Sequence, residues 1–144
     1  MSERATIVDT YGEAYSIELF EDDQFFAMRV YRDGVQIGYA RCLVENDHVE
    51  LADMRISGRL ERNKLFVMLL APFRRFMAKN YQSRGIGSKL LKEVIAYCRE
   101  IGAASIHGHL AGHKDLLAKW YSLHGFEVDM SAEKIVLRLD AADI

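Results

Sequence analysis

Gln82-Ser83-Arg84-Gly85-Ile86-Gly87-Ser88 is the stretch of this 144-residue chain whose residue types and spacing most plainly suggest chemistry. A glycine-rich turn running straight into a helix presents unpaired backbone N–H groups at the positive end of a helix dipole. That is a seat for a phosphate or diphosphate. Gly85 and Gly87 suit such a role because a Cβ at either place would hold a ligand away from the main chain. The same two glycines also fit a tight turn with nothing bound, so the surroundings must decide. His107, His109 and His113 raise a second possibility, a metal site, since alternation puts the first two on one strand face. No cysteine partner or H-E-x-x-H spacing accompanies them, and no metal is expected.

The elements around the glycine turn are readable from periodicity. Residues 14–19, Gln24–Tyr31, Val35–Val44 and His48–Ile56 are β-rich runs, with Arg32-Asp33-Gly34 and Glu45-Asn46-Asp47 as turns. Together they form an antiparallel meander. The last run changes parity: Val49 and Leu51 share one face, then the apolar positions shift to Ala52, Met54 and Ile56, of opposite parity. A one-residue slip of this kind predicts a β-bulge. Ile86, Leu90, Leu91, Val94, Ile95, Cys98 and Ile101 form a helical stripe ending at Gly102. A strand over Ala104–Leu110 follows, then a helix over Asp115–His124 with Leu116, Leu117, Trp120 and Leu123 on or near its buried side, and closing strands at Phe126–Met130 and Lys134–Leu139. Strand, glycine turn, helix, strand in succession implies a right-handed parallel crossover. Between the two halves, Phe66, Leu69, Leu70, Phe73, Phe76 and Met77 have helical spacing interrupted by Pro72, the only proline; a helix broken there is expected.

Composition sets bounds on partners. Half the residues are apolar and 28% are charged, enough for one domain over residues 1–144 with a disulfide-free core. Cys42 and Cys98 read as small core residues in a reducing compartment, so a cytoplasmic location is expected. No apolar run is long enough to cross a bilayer, and a net charge of −2 argues against a nucleic-acid coat or a membrane surface. Charge is nonetheless uneven. Residues 58–81 carry six basic side chains against Glu61, while Glu13, Glu18, Glu21, Asp22 and Asp23 cluster near the front. Two solvated surfaces, or an anionic ligand with a cationic one, would both explain this.

The chain resembles the GNAT N-acetyltransferase superfamily. Gln82-Ser83-Arg84-Gly85-Ile86-Gly87 fits that family's Q/R-x-x-G-x-G/A loop for acetyl-coenzyme A. Tyr121-Ser122-Leu123-His124-Gly125-Phe126, 39 positions after Gln82, matches its Y-x-x-x-G-F helix ending. The resemblance is good over about residues 82–130 and topological only over 14–56. It implies an α+β fold with a central mixed sheet of about six or seven strands, its antiparallel front half joined to a β-α-β cofactor unit. It also implies that the amides of Gln82, Ser83, Arg84, Gly85, Ile86, Gly87 and Ser88 hold the diphosphate, with Arg84 and Lys89 adding charge. The pantetheine arm would lie along the strand at Met54 and Ile56, and Tyr121 would protonate the departing thiolate. Aminolysis of a thioester needs a neutral amine, hence a base. Glu50 and Asp53 flank the expected bulge where the family places one, with Glu50 the first choice and His109 a further candidate.

Three departures from the family pattern matter. The usual helix pair between the first two strands is missing, residues 58–81 are inserted before the glycine turn, and Lys114 stands about where an asparagine is common. The resulting expectation is transfer of acetyl from acetyl-coenzyme A to a small-molecule or protein amine by direct attack, with a homodimer left open. The alternative is a non-catalytic module on the same fold that binds acyl-coenzyme A, a protein partner or nucleic acid.

Overall fold

The computed structural model describes residues 2–56, 85–111 and 114–139. Chain order is β1 (Ser2–Val8), β2 (Ala14–Glu21), β3 (Phe25–Arg32), β4 (Val35–Glu45), β5 (His48–Ile56), α1 (Ile86–Glu100), β6 (Ser105–His109), α2 (Lys114–Leu123), β7 (Glu127–Asp129) and β8 (Lys134–Arg138). One eight-stranded sheet runs β1-β2-β3-β4-β5-β6-β8-β7. Only β5 and β6 pair in parallel; every other neighbouring pair is antiparallel. This is the expected mixed α+β sheet with one strand more, because Ser2–Val8 forms an edge strand that its polar alternation concealed. No helix interrupts residues 2–56, in keeping with the missing helix pair. The broken helix and the basic segment expected over residues 58–81 lie outside the described residues.

Local chemistry explains the turns. Asp33 (φ 51°) and Gly34 (φ 77°) make a two-residue hairpin between the paired Arg32 and Val35, the primed turn that Asp-Gly favours. Asn46 takes the left-handed conformation, φ 57°, in the next hairpin. At the end of α1, Gly102 (φ 79°) closes a Schellman motif, with Ala103 N–H donating to the Cys98 carbonyl and Gly102 N–H to that of Arg99.

The expected bulge is present. Arg41 pairs with Asp53 and Cys42 with Leu51, so Ala52 is the extra residue. That insertion returns Met54 to the same sheet face as Leu51, opposite the buried Ala40. The core lies between this face and α1, where Ile17, Phe26, Met28, Val49, Leu90 and Val94 are fully buried. Helix α1 packs on β1, β3, β4 and β5. Its outer flank is tied to the edge strand by Arg4, which donates to Glu93 at 3.0 Å and also to Glu100. Helix α2 is shallower than expected. Tyr121 is its one buried residue, while Leu116 and Leu123 are 67% and 85% exposed.

Candidate active site

The glycine turn meets the first requirement of an anion seat. Gly85 is the N-cap of α1 in the left-handed conformation (φ 77°, ψ 9°), no side chain caps the helix, and no acidic residue stands in its first turn. The donors of Ile86, Gly87 and Ser88 therefore lack the usual intramolecular competitor for an anion. Gln82, Ser83 and Arg84 lie outside the described residues; Lys89 is exposed on the first turns. The Ser88 hydroxyl is engaged by α2, accepting from Trp120 Nε1 at 3.0 Å and lying 3.2 Å from His124 Nε2. These two partners went unread in the sequence, although their four-residue spacing puts both on one helical face. The β1–β2 turn also approaches: the Thr10 methyl lies 3.6 Å from where a Gly85 Cβ would stand. Asp9, 6% exposed, stiffens that turn by accepting from Tyr15 Oη at 2.6 Å, Tyr11 N at 2.8 Å and Glu13 N at 3.0 Å.

A gap in the sheet begins one residue before the bulge. The β5–β6 ladder runs from His48↔Ser105 to Leu51↔Gly108 and stops there, while β5 goes on pairing with β4 as far as Ile56. Beyond Gly108, chain direction is set from the other side, where Leu110 N donates to the Glu133 carbonyl at 2.8 Å. The two strands thus diverge toward the end of the sheet where α1 begins. Met54 and Ile56 lie on the diverging stretch of β5. Ile56 also packs between Gly38 and Gly87: its Cδ1 is 2.6 Å from a Cβ built on Gly38, and its Cγ1 is 3.8 Å from one built on Gly87.

Tyr121 packs inward from α2. It is 8% exposed, with its ring against those of Trp120 (centroids 4.9 Å apart) and Phe126 (5.3 Å). Burial, with the Cys42 thiol nearby, pushes its phenol pKa up. Cys42 is the β4 partner of Leu51, so the phenol lies near the level where β5 and β6 part. Among the described residues its hydroxyl has no hydrogen-bond partner.

Glu50 alternates onto the opposite face, in register with His107, and its Oε1 is 3.9 Å from His109 Nε2. Together with His48 and Lys134 they line an open groove of about 300 Å³. Asp53, the other candidate base, is already committed: it accepts from Tyr39 Oη at 2.7 Å and Arg41 Nη2 at 2.9 Å. Those two bonds hold its carboxyl below the usual carboxylate range, which suits a fixed anion better than a proton acceptor. Ser105, buried, lies between His48 Nδ1 (2.6 Å) and His107 Nε2 (2.8 Å). His113 lies outside the described residues, and among the described residues no three His, Cys, Asp or Glu side chains converge as metal ligands. Lys114 pairs with Glu133. The acidic residues near the front are dispersed: Glu13 pairs with Arg32 at 3.3 Å, and Glu21 accepts from Tyr97 on the helix side.

The family model of the GNAT acetyltransferases matches residues 3–126, and the chain belongs to that family. Solved structures agree on the fold. The GNAT domain of S. lividans PAT superposes with a TM-score of 0.69 at 13% identity, over 95% of this chain and 97% of that one. The ribosomal-protein-S18-alanine N-acetyltransferase from Escherichia coli gives 0.60 at 13% identity, over 86% and 76%. PaiA N-acetyltransferase from Thermoplasma acidophilum, solved with coenzyme A, gives 0.59 at 15% identity; the match covers 81% of this chain and 62% of that protein. A sequence search of curated proteins finds no match. Among the described residues no helix is long and apolar enough to cross a membrane.

Proposed function

We propose that the protein transfers an acyl group, most simply acetyl, from acyl-coenzyme A to a primary amine by direct attack. The observation that supports this best is the coincidence of three features at one end of the sheet. These are an uncapped glycine turn at the start of α1, a gap between β5 and β6 that opens beside the Ala52 bulge, and a buried tyrosine near the level where the gap begins. The residues fit the coenzyme: main-chain donors from Gly85 to Ser88 would hold its diphosphate, and the diverging stretch of β5 at Met54 and Ile56 would pair with its pantetheine amides.

When bound, the coenzyme supplies an activated thioester. Glu50, with His109 beside it, takes the proton that the attacking amine gives up on the groove side. Tyr121 gives its proton to the leaving thiolate, a sensible exchange between groups of similar basicity. Small-molecule amines, peptide N-termini and lysine side chains are the acceptor classes to try.

The test is incubation with acetyl-coenzyme A and a panel of such amines, reading free thiol and the mass of the acceptor. Y121F is expected to lower kcat about 10²-fold while coenzyme affinity stays within about twofold. Unchanged turnover in Y121F removes the acid role. No turnover with any amine, despite coenzyme binding, leaves a binding module.

A further inference from the structure

The Ser88 hydroxyl is the meeting point of the anion seat and the helix that carries Tyr121. Ser88 is the third residue of α1, so its own N–H belongs to the uncapped first turn. Trp120 on α2 and His124 just past its last residue, whose rings are 5.0 Å apart, reach it from either side of Tyr121 in sequence. An indole N–H only donates, so it occupies one lone pair of the Ser88 oxygen. The single hydroxyl hydrogen then has two destinations: a bare Nε2 of His124, or an anion held at the turn. If Nε2 carries a proton it donates to the second lone pair of Ser88, and the hydroxyl hydrogen is released toward the anion.

We propose that Ser88 and His124 are a positioning pair, in which a proton at His124 Nε2 turns the Ser88 hydroxyl toward the coenzyme diphosphate and so ties occupancy of that seat to α2 and Tyr121. This rests on the acyl-coenzyme A reading above and goes beyond it by naming a linkage. The groups facing His124 are Lys92 and Ser88 on α1 and Trp120 on α2. Burial, then Lys92, lowers the imidazole pKa, so without ligand the ring is neutral at pH 7. A seated dianion reverses that balance. With the neutral ring's hydrogen on Nδ1, so that Nε2 accepts from Ser88, binding takes up a proton at Nε2 and affinity rises as pH falls.

The experiment is titration of the wild type, H124Q, S88A and S88T with coenzyme A and with dephospho-coenzyme A between pH 6 and 8. Calorimetry in buffers of different ionisation enthalpy counts protons taken up, and Trp120, the only tryptophan, reports the site by fluorescence. Dephospho-coenzyme A removes the 3′-phosphate, which titrates in the same range. The wild type is expected to bind it about three- to tenfold more tightly at pH 6 than at pH 8. H124Q and S88A should lose that slope, and S88T should regain it. Equal slopes in the wild type and H124Q overturn the linkage alone. Absence of coenzyme binding by the wild type overturns the acyl-coenzyme A reading, and the linkage with it.

Discussion

Tyr121 lies on the helix side of the sheet and Glu50 on the other face, so in the proposed aminolysis the two proton transfers would be kept apart. The phenol, buried against Trp120 and Phe126 with its pKa raised, stays protonated through the neutral range. Turnover should therefore show no alkaline loss from this group below about pH 10. A pH–kcat profile in which Y121F removes a limb near neutrality would contradict that placement. On the other face, E50Q keeps the side-chain shape but cannot take a proton. It should cost about 10²-fold in kcat at neutral pH and leave the coenzyme Kd within about twofold. If H109Q, and not E50Q, carries the loss, the base is the imidazole.

The bulge on β5 is the element on which the site depends, and it was legible because alternation is strict: one skipped residue shows as a parity change between Leu51 and Met54. The glycine turn was legible for a similar reason, since Gly85 and Gly87 sit directly before an uninterrupted apolar stripe. What escaped reading depends on contacts distant in sequence. β1 has one buried residue, Ile7, and its place in the sheet is supported by Arg4 reaching Glu93 and Glu100 on α1. The apolar spacing of α2 overstated its burial because the helix packs on the short edge strand β7. Close approach of elements also gives a stability prediction. A Cβ on Gly38 would stand 2.9 Å from the Arg55 carbonyl oxygen and 2.6 Å from Ile56 Cδ1. The side chain can shift and the carbonyl cannot do so cheaply, so G38A should cost about 1–3 kcal/mol by denaturant unfolding. Because it displaces Ile56, it should weaken coenzyme binding as well; a neutral G38A would mean that β4 and β5 separate easily.

For the molecule as a whole, pH and ligand act on stability in opposite ways. His124 has a folded pKa below its usual 6.5, so the neutral ring is favoured by folding. Its contribution is complete above about pH 6.5 and is lost as pH falls through the folded value. The ligand-free protein should lose Tm on acidification over that window, and H124Q should lose less. Acetyl-coenzyme A should raise Tm: at a hundred times Kd it adds about 2.7 kcal/mol, roughly 5–10 °C for a chain of this size. A ligand-induced shift that vanished in G85A, where a Cβ is strained at φ 77° and would stand 3.6 Å from the Thr10 methyl, would locate the binding at the turn.

Both cysteines are sealed in the core. Cys42 is 1% exposed and Cys98 fully buried, and burial drives the Cys42 thiol up and that of Cys98 to about 12. The folded chain is accordingly almost silent toward chromogenic disulfide reagents, which react with thiolates. Colour developing during turnover would then report the sulfhydryl of spent coenzyme against a near-zero protein background, and a slow rise in that background would signal enzyme coming apart in the cuvette.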